Sequence, residues 1–378
     1  MRIVVVGSGV IGLLTATECV RAGADVDLVE QSGIPAPGAA SYDRHRVVRT
    51  FHRGDATLTI AAADLVHSWH EVDRRFGART FHRTGVVTLA PVCDVDAALV
   101  LLAGVGAPVQ ALSGHELRRR YPHVRFAADD TAVLEPAAGT VRADHALHAV
   151  ARWLRGQPAV ELHPHRRAVR VTESGAVLLA DGGMLQGDGV VIATGPWSRD
   201  FLPARLATKL RLKRQTMLSY VPRRSDRAWA ASPAILGLDA ERRDAWLMPP
   251  VAGAPARLSA ASACRTVPEL AGHDADPHWR AHLVARFGPL LTDFKPAAEH
   301  AADGYYLTDE TSRGPMLAQL GAGPVWAYGA CGGMSFKFAP VLAAVLAARA
   351  TGRAPRSTGL ESVDQPRRVD DRQQMEAA

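Results

Sequence analysis

The first thirty residues pair two apolar runs with a glycine-rich turn. Residues 2–6, RIVVV, form a short continuous apolar run, which is typical of a strand buried on both faces. The segment LLTATECVRAG then carries apolar residues at helical spacing, and ADVDLVE forms a second β-type run that ends at Glu30. The pattern predicts a strand, a helix and a second strand at the start of the chain.

The turn between the first strand and the helix reads Gly7-Ser8-Gly9-Val10-Ile11-Gly12. In this fingerprint Gly7 makes the tight turn, Gly9 lets the backbone approach a pyrophosphate, and Gly12 lets the helix pack closely on the strand. The start of the helix offers free N–H groups and partial positive charge to phosphates. Glu30, 18 residues after Gly12, would accept hydrogen bonds from ribose hydroxyls. We therefore predict a dinucleotide site.

Later apolar runs indicate which dinucleotide is bound. TGVVTLAP, KRQTMLSYVP and AWLMPP are β-like, whereas VLAAVLAARATG has helical spacing. GDGVVIATGPWS, residues 187–198, resembles the late strand-and-turn motif of FAD-containing oxidoreductases. A second GxGxxG, which would hold a nicotinamide cofactor beside a flavin, does not occur in the sequence. A flavin is therefore expected, with electrons leaving to an acceptor other than NAD(P).

Composition and charge narrow the class of protein. The 378 residues are 47% hydrophobic and 22% charged, which indicates a globular chain with two domains or one large interleaved pair. The net charge of +6 comes without a basic stripe interleaved with aromatics, so no nucleic-acid partner is expected. The four cysteines are scattered, and a signal-peptide pattern is not found, which predicts a cytoplasmic protein without a metal site. No run approaches about 18 apolar residues, so no membrane span is expected.

The chain resembles the D-amino-acid-oxidase-like (DAO) flavoproteins, in particular the branch of monomeric sarcosine oxidase and N-methyltryptophan oxidase. Besides the fingerprint, the resembling segments follow one another in the family's order nearly end to end. They are SYDRHRVVRTFH (41–52), RTFHRTGVVTLAP (79–91), HELRRRYPHV (115–124), VLEPAAGTVRAD (133–144) and GACGGMSFKFAP (329–340).

The resemblance implies an α/β fold of two interleaved domains. An FAD-binding Rossmann-type domain would comprise residues 1–80, 141–209 and 304–378. A substrate domain, built on an antiparallel sheet, would comprise residues 81–140 and 210–303. Within the last segment, the polar tail ESVDQPRRVDDRQQMEAA is expected to be poorly ordered at its end.

The resemblance also implies a reaction. FAD would oxidise the C–N bond of an amino acid or N-substituted amino acid to an imine, with O2 as acceptor giving H2O2. One alternative is an amine dehydrogenase that passes its electrons to a carrier. Another is a flavin-binding relative without amine chemistry.

Two basic residues stand at the family positions that grip the substrate carboxylate, Arg49 and Lys337. An arginine that binds through two N–H groups, together with a lysine, suits a carboxylate shielded from water. Arg46, one turn before Arg49 if this stretch is helical, stands where an arginine touches the flavin. For both arginines the alternative is a solvated basic face, and His45, directly before Arg46, is expected to be structural.

The residues predicted to bind the cofactor come from the fingerprint and from the resemblance. They are Gly7, Gly9, Val10, Ile11, Gly12, Glu30, Gln31, Ser41, Arg46, Val169, Thr194, Gly195, Trp197, Gly332, Gly333, Met334 and Lys337.

One departure from the family concerns how the flavin is held. Asp303 or Gly304 takes the place of the cysteine that bonds covalently to the flavin, so FAD is expected to be held non-covalently. Cys331 is expected to be only a small residue in the glycine-rich turn. That turn, GGMSFKF, is one residue longer than the family's GHGFKF, and such a bulge can redirect Lys337.

Further departures concern the active site. Arg257 stands where the family has a lysine near flavin N5 that promotes reaction with oxygen, and arginine keeps that positive charge. Trp246 replaces an active-site tyrosine and Ala261 a nearby histidine, which favours a larger or more apolar amine than sarcosine. The predicted catalytic residues are Arg49, Lys337, Arg257 and Trp246.

Overall fold

The structure is a computed structural model that describes residues 1–222, 227–239, 243–295, 300–311 and 315–355. The polar tail predicted to be poorly ordered at its end lies outside these residues, as does the rest of 356–378.

The described residues form ten α-helices, and two short 3-10 helices span Gly195–Phe201 and Ala261–Ala263. The α-helices are α1 (Val10–Arg21), α2 (Ala56–Ala61), α3 (Leu65–Phe76), α4 (Val92–Gly104), α5 (Gly114–Arg120), α6 (Ala143–Arg155), α7 (Ala204–Ala207), α8 (Arg227–Ala230), α9 (Pro277–Phe287) and α10 (Ser335–Ala350).

Twenty-one strands occur in the same residues. They are β1 (Arg2–Val6), β2 (Asp25–Val29), β3 (Arg46–Val48), β4 (Phe81–His82), β5 (Val86–Leu89), β6 (Gln110–Ser113), β7 (Thr131–Glu135), β8 (Gly139–Val141), β9 (Val160–His163), β10 (Ala168–Val171), β11 (Ala176–Leu179), β12 (Met184–Gln186), β13 (Gly189–Ile192), β14 (Leu210–Tyr220), β15 (Ala234–Leu238), β16 (Ala245–Met248), β17 (Ala256–Ala260), β18 (Cys264–Val267), β19 (Ala301–Asp309), β20 (Met316–Gln319) and β21 (Val325–Ala330).

The glycine fingerprint follows a central strand of a six-stranded sheet, ordered β20-β21-β13-β1-β2-β9. β1 pairs in parallel with β13 and β2, so that Val4 lies opposite Val190 and Asp27. β20 is antiparallel at one edge. Residues 3–6 of β1 are buried, because helices pack on one face of the sheet and further strands on the other, which explains the continuous apolar run. The predicted Rossmann-type unit is confirmed.

A nine-stranded sheet forms the second layer, ordered β18-β14-β17-β16-β15-β5-β7-β6, with β19 also paired to β14. Its pairs are antiparallel, as predicted, except for the parallel pair of β5 and β15. The side chains of the long strand β14 alternate between two faces. Gln215 and Met217 line the cavity described below, whereas Thr216 hydrogen-bonds to Asp303 behind the sheet.

The predicted domain boundaries fall at two places in the nine-stranded sheet. β14 begins at Leu210, directly after the predicted boundary at 209. β19 runs across the boundary at 303/304 and pairs with β14 along its whole length, so residues 304–309 share this sheet. A small sheet ordered β3-β8-β4 combines segments assigned to both domains. The division into domains stays a prediction.

In the part of the chain that the structure describes, no helix has the length and apolar character needed to cross a membrane.

Candidate active site

A cavity of about 630 Å³ extends from the glycine fingerprint to the nine-stranded sheet. Every predicted site residue lines it except Gly12 and Arg257. The predicted residues in its wall are Gly7, Gly9, Val10, Ile11, Glu30, Gln31, Ser41, Arg46, Arg49, Val169, Thr194, Gly195, Trp197, Trp246, Gly332, Gly333, Met334 and Lys337. The cavity therefore brings together segments from both ends of the chain.

The fingerprint forms a backbone cradle that excludes side chains. Gly7 has φ +102°, and a Cβ there would lie 2.5 Å from the carbonyl oxygen of Ala193. A Cβ on Gly12 would lie 1.8 Å from the Gly7 oxygen, so Gly12 acts behind the cavity wall, where the helix packs. Helix α1 starts at Val10 without a side-chain cap on its N-cap residue, Gly9. Its N-terminus at the cavity suits an anionic pyrophosphate.

Glu30 is buried, and its carboxylate binds the fingerprint itself. Oε2 accepts from the backbone N and Oγ of Ser8, at 2.8 and 3.0 Å, and Oε1 accepts from the same two groups of Ser32, at 3.0 and 2.9 Å. A carboxylate has about four acceptor positions. The four donors of Ser8 and Ser32 occupy these positions. A ribose hydroxyl could bind Glu30 by replacing one of the two serine hydroxyls, which can rotate away.

Arg46 lines the cavity from a strand rather than from a helix. It is the first residue of β3, and Arg49 directly follows this strand, so the two are not one helical turn apart. Arg46 Nη1 lies 2.6 Å from Asp43 Oδ2, and Nη2 donates to the carbonyl of Ala40. Both arginines line the cavity, which argues against a solvated basic face.

Arg257 lies behind Arg46 and outside the cavity wall. It is 5% exposed; Nη2 lies 2.7 Å from Asp43 Oδ1 and Nη1 donates to Ser219 Oγ at 2.8 Å. Burial favours a raised pKa for Asp43, but Arg46 and Arg257 outweigh it and hold that pKa well below its usual range. The oxygen-promoting role of Arg257 stays a prediction, and the guanidinium would have to leave Asp43 to fulfil it.

Lys337 lies in the first turn of α10, so the glycine-rich turn ends before it. The residue is 8% exposed, and its Nζ lies 5.5 Å from the centroid of the Phe338 ring. Burial and the nearby charge of Arg49 lower the pKa of Lys337 well below its ordinary value, while Glu135 opposes this shift. Its position at a helix N-terminus is also unfavourable for a cation.

Arg49 and Lys337 form no ion pair within 4.0 Å to any acid among the described residues. Arg49 Nη1 is moreover buried without a hydrogen-bond partner. Burial lowers the pKa of Arg49, partly offset by Glu135. Two basic groups without an ion-pair partner in a cavity wall are costly to charge, and an anionic ligand would stabilise the charged form of both.

Another part of the cavity wall is largely apolar. Trp246 lines it beside Met217, Leu236 and Met248. Tyr306 also lines it, and its hydroxyl lies 3.3 Å from Cys264 Sγ. This wall is contributed by the nine-stranded sheet.

The two residues that take the place of the family cysteine, Asp303 and Gly304, lie on opposite faces of β19. Gly304 lines the cavity, whereas Asp303 is buried behind the sheet, 2.5 Å from Arg214 and 3.2 Å from Arg265. Cys331 lines the cavity, and burial raises the pKa of its thiol. His45 is fully buried outside the cavity lining, which fits the structural role expected for it.

Several residues that build the site were not predicted. Asp43 orients Arg46, Glu135 lies beside Arg49, and Tyr306 and Met217 line the wall. Glu135 had a visible signal, since it is a charged residue that ends the apolar run AVL just before a proline. The other three carry no local signal.

Comparisons with known proteins agree with this geometry. The family model described as FAD dependent oxidoreductase (DAO) matches residues 2–349. Peroxisomal sarcosine oxidase of Mus musculus is 25% identical over 250 residues, which cover 62% of each chain. N-methyl-L-tryptophan oxidase of Yersinia pestis (strain Pestoides F) is 21% identical over 215 residues, covering 55% of this chain and 57% of that one. The chain thus spans under two thirds of these curated relatives' lengths.

Solved structures extend the likeness over nearly the whole fold. The open form of NikD, an amino acid oxidase of nikkomycin biosynthesis, superposes with a TM-score of 0.80 at 18% identity and covers 96% of both chains.

The residues present fit FAD, since the cradle at Gly7 and the helix terminus at Val10 suit its pyrophosphate. Neither Asp303 nor Gly304 carries a thiol, so neither can bond covalently to the flavin. The family match along almost the entire chain, on a cavity built around the glycine fingerprint, shows that this protein belongs to the DAO family of FAD-dependent oxidoreductases.

Proposed function

We propose that the protein uses FAD to oxidise the C–N bond of an amino acid or N-substituted amino acid to an imine. The observation that carries this proposal is the pair of cations, Arg49 and Lys337, which line the cavity without an ion-pair partner among the described residues. A substrate carboxylate would bridge them, and Arg49 Nη1 offers it a donor that no protein group uses.

The same cavity indicates how the amine binds. The described acids in its wall are Glu30, at the fingerprint, and Asp200, in the first 3-10 helix, and neither belongs to the nine-stranded sheet. An ammonium group beside Arg49 and Lys337 would therefore meet like charges. The substrate nitrogen binds in its neutral form, which is also the form that can give up a hydride from the adjacent carbon.

The substrate side chain would contact the apolar wall of Met217, Leu236, Trp246 and Met248. These side chains favour a larger, apolar group over the small methyl of sarcosine. FAD, when bound, supplies the two-electron acceptor. The protein's part is to hold the substrate carbon against the flavin and to exclude water.

O2 is the proposed electron acceptor, with H2O2 as product, since Arg46, Arg49 and Lys337 all place positive charge in the cavity wall. A second candidate is transfer to an electron carrier. It is favoured by one observation, the ion pair that holds Arg257 on Asp43 and away from the cavity. The small-molecule partner, the cytoplasmic location and the absence of a nucleic-acid partner stay predictions.

Anaerobic mixing with a panel of amino acids and their matched carboxamides tests the proposal. We expect carboxylates with apolar side chains to bleach the flavin absorbance, carboxamides to do so far more slowly, and Lys337→Ala to lose most of this difference. If the variant bound the carboxylates as tightly and were reduced as fast, the role of Lys337 would be wrong. Equal reduction by the carboxamides would refute the carboxylate site.

Aerobic turnover then separates the two acceptors. One H2O2 formed per imine supports O2. Turnover that requires an added artificial carrier supports the dehydrogenase.

A further inference from the structure

Glu135 binds the backbone that directly follows Arg49, although it does not line the cavity. It is the last residue of β7 and is 3% exposed. Its Oε1 accepts hydrogen bonds from the backbone N–H groups of Thr50, at 2.6 Å, and Phe51, at 3.1 Å. These two residues directly follow Arg49, so the carboxylate sets the direction in which the chain leaves the arginine.

Glu135 acts on Arg49 without a direct contact between their charged groups. The two residues interact electrostatically, yet the described structure contains no ion pair between them within 4.0 Å. Glu135 Oε2 and Arg49 Nη1 are both buried and both lack a hydrogen-bond partner. A direct pair between their side chains would have used the arginine donor, which the observed arrangement leaves free for a ligand.

Three titratable neighbours from two segments surround Lys337. Arg49 follows β3, Glu135 ends β7, and His52 lies in the loop after Arg49. Burial, Lys337 and Arg49 lower the pKa of His52, so this imidazole is neutral. Its Nδ1 donates to the Thr50 oxygen at 2.8 Å. The cluster thus contains two cations and one anion.

We propose that Glu135 is a positioning residue for carboxylate recognition. It orients Arg49 through the backbone of Thr50 and Phe51, and its negative charge favours the protonated form of Lys337, the form that binds a monocarboxylate ligand. This inference rests on the proposed function, because it assigns the ligand of that same site.

Glu135→Gln separates the hydrogen-bonding role of Glu135 from its electrostatic role. If Glu135 only held the backbone, this variant would not change the pH dependence of ligand binding. The amide oxygen can still accept from Thr50 and Phe51, whereas the negative charge is lost. Asp73→Asn is the matched control: Asp73 accepts from the consecutive backbone N–H groups of Thr80 and Phe81, each at 2.9 Å, and is not among the groups that act on Lys337.

The experiment follows flavin absorbance in the FAD-loaded, oxidised protein as benzoate or benzamide is added between pH 5 and 10. Benzoate binding requires protonated Lys337 and is lost as the pH rises through its pKa. Because Glu135 raises that pKa, we expect Glu135→Gln to move the midpoint of this loss down by about one pH unit or more. Asp73→Asn should keep the wild-type midpoint, and benzamide binding should change little in either variant.

Each other result overturns a defined part of the proposal. An unchanged midpoint in Glu135→Gln, with benzoate still preferred over benzamide, overturns the role of Glu135 and leaves the proposed function standing. No preference of the wild type for benzoate at any pH overturns both. If Glu135→Gln does not fold, as judged by thermal unfolding, Glu135→Asp replaces it; that variant keeps the charge, so a midpoint lowered by a full unit contradicts the proposal.

Discussion

The indole Nε1 of Trp69 donates a hydrogen bond to the backbone oxygen of Lys337, 2.9 Å away and 268 residues later in the chain. The same indole stacks on Phe336, with 5.0 Å between the ring centroids. Helix α3 therefore fixes the first turn of α10, and with it the point from which the Lys337 side chain enters the cavity.

Trp69→Phe tests this anchoring, because phenylalanine keeps the stacking and loses the donor. We expect the free energy of unfolding to fall by about 2–3 kcal/mol, because the donor to the Lys337 oxygen is lost and the smaller ring leaves space at a fully buried position. The Michaelis constant for a carboxylate substrate should rise while flavin content stays unchanged. Urea unfolding and steady-state kinetics measure the two effects. Trp153→Phe, on the neighbouring helix α6, is the control for a general tryptophan effect, and an equal change in both variants would count against the anchor.

Replacing Arg257 decides between its two roles. Arg257→Met removes one of the two cations on the buried Asp43 carboxylate, so we expect a loss of about 2–3 kcal/mol in the free energy of unfolding and weaker FAD retention through Arg46. Because the guanidinium does not line the cavity, the rate at which O2 reoxidises the reduced flavin should change less than twofold. A large drop in that rate in folded Arg257→Met, restored in Arg257→Lys, would instead support the oxygen-promoting role, because lysine keeps the positive charge.

The buried His45 predicts how stability depends on pH. Burial lowers its pKa from 6.5 to about 4, and both ring nitrogens lack partners among the described groups. The unfolded chain therefore binds a proton below pH 6.5 that the folded chain refuses until about pH 4. Stability should decrease as the pH falls through this window, with a His45 share of about 3 kcal/mol.

His45→Asn should lessen this decrease, and the exposed His115→Asn should not. Free energies of unfolding at pH 7 and pH 4.5 provide the measurement. A wild-type decrease that survives undiminished in His45→Asn would show that other groups, such as His52, account for all of it.

Gly304→Cys tests which face of β19 meets the flavin. A Cβ at this position lies 3.4 Å from the flexible Cε of Met217, so the side chain can be accommodated. We expect part of the flavin to remain with the protein after acid precipitation in Gly304→Cys, and none to remain in the wild type or in Gly304→Ser. If the flavin of Gly304→Cys is released completely, Gly304 does not stand at the position of the family cysteine.

The parts of the site that the sequence predicted are formed by residues close together in the chain. The cradle at Gly7 and the packing at Gly12 depend on residues within one strand-turn-helix unit, and the pattern contains all of them. Resemblance identified Lys337 but not its place in the first turn of α10. The glycines before it are typical of a turn and gave no sign that a helix begins at Ser335.

The parts that were missed depend on partners far away in the chain. Glu135 bonds a backbone N–H 85 residues earlier, and Asp43 pairs with a guanidinium 214 residues later. Resemblance to the family gave Arg257 its position, but its orientation is set by the charge of Asp43, which the sequence of β17 does not reveal. The strand at Arg46 likewise depends on pairing with β8.

The wall of the cavity is assembled from segments between residue 6 and residue 337. The fingerprint is synthesised before the first turn of α10, so a chain interrupted between them lacks part of the surface that would hold the flavin. FAD that binds this assembled cavity would stabilise the folded state by mass action. The yellow colour of bound flavin is therefore expected to track the amount of assembled protein.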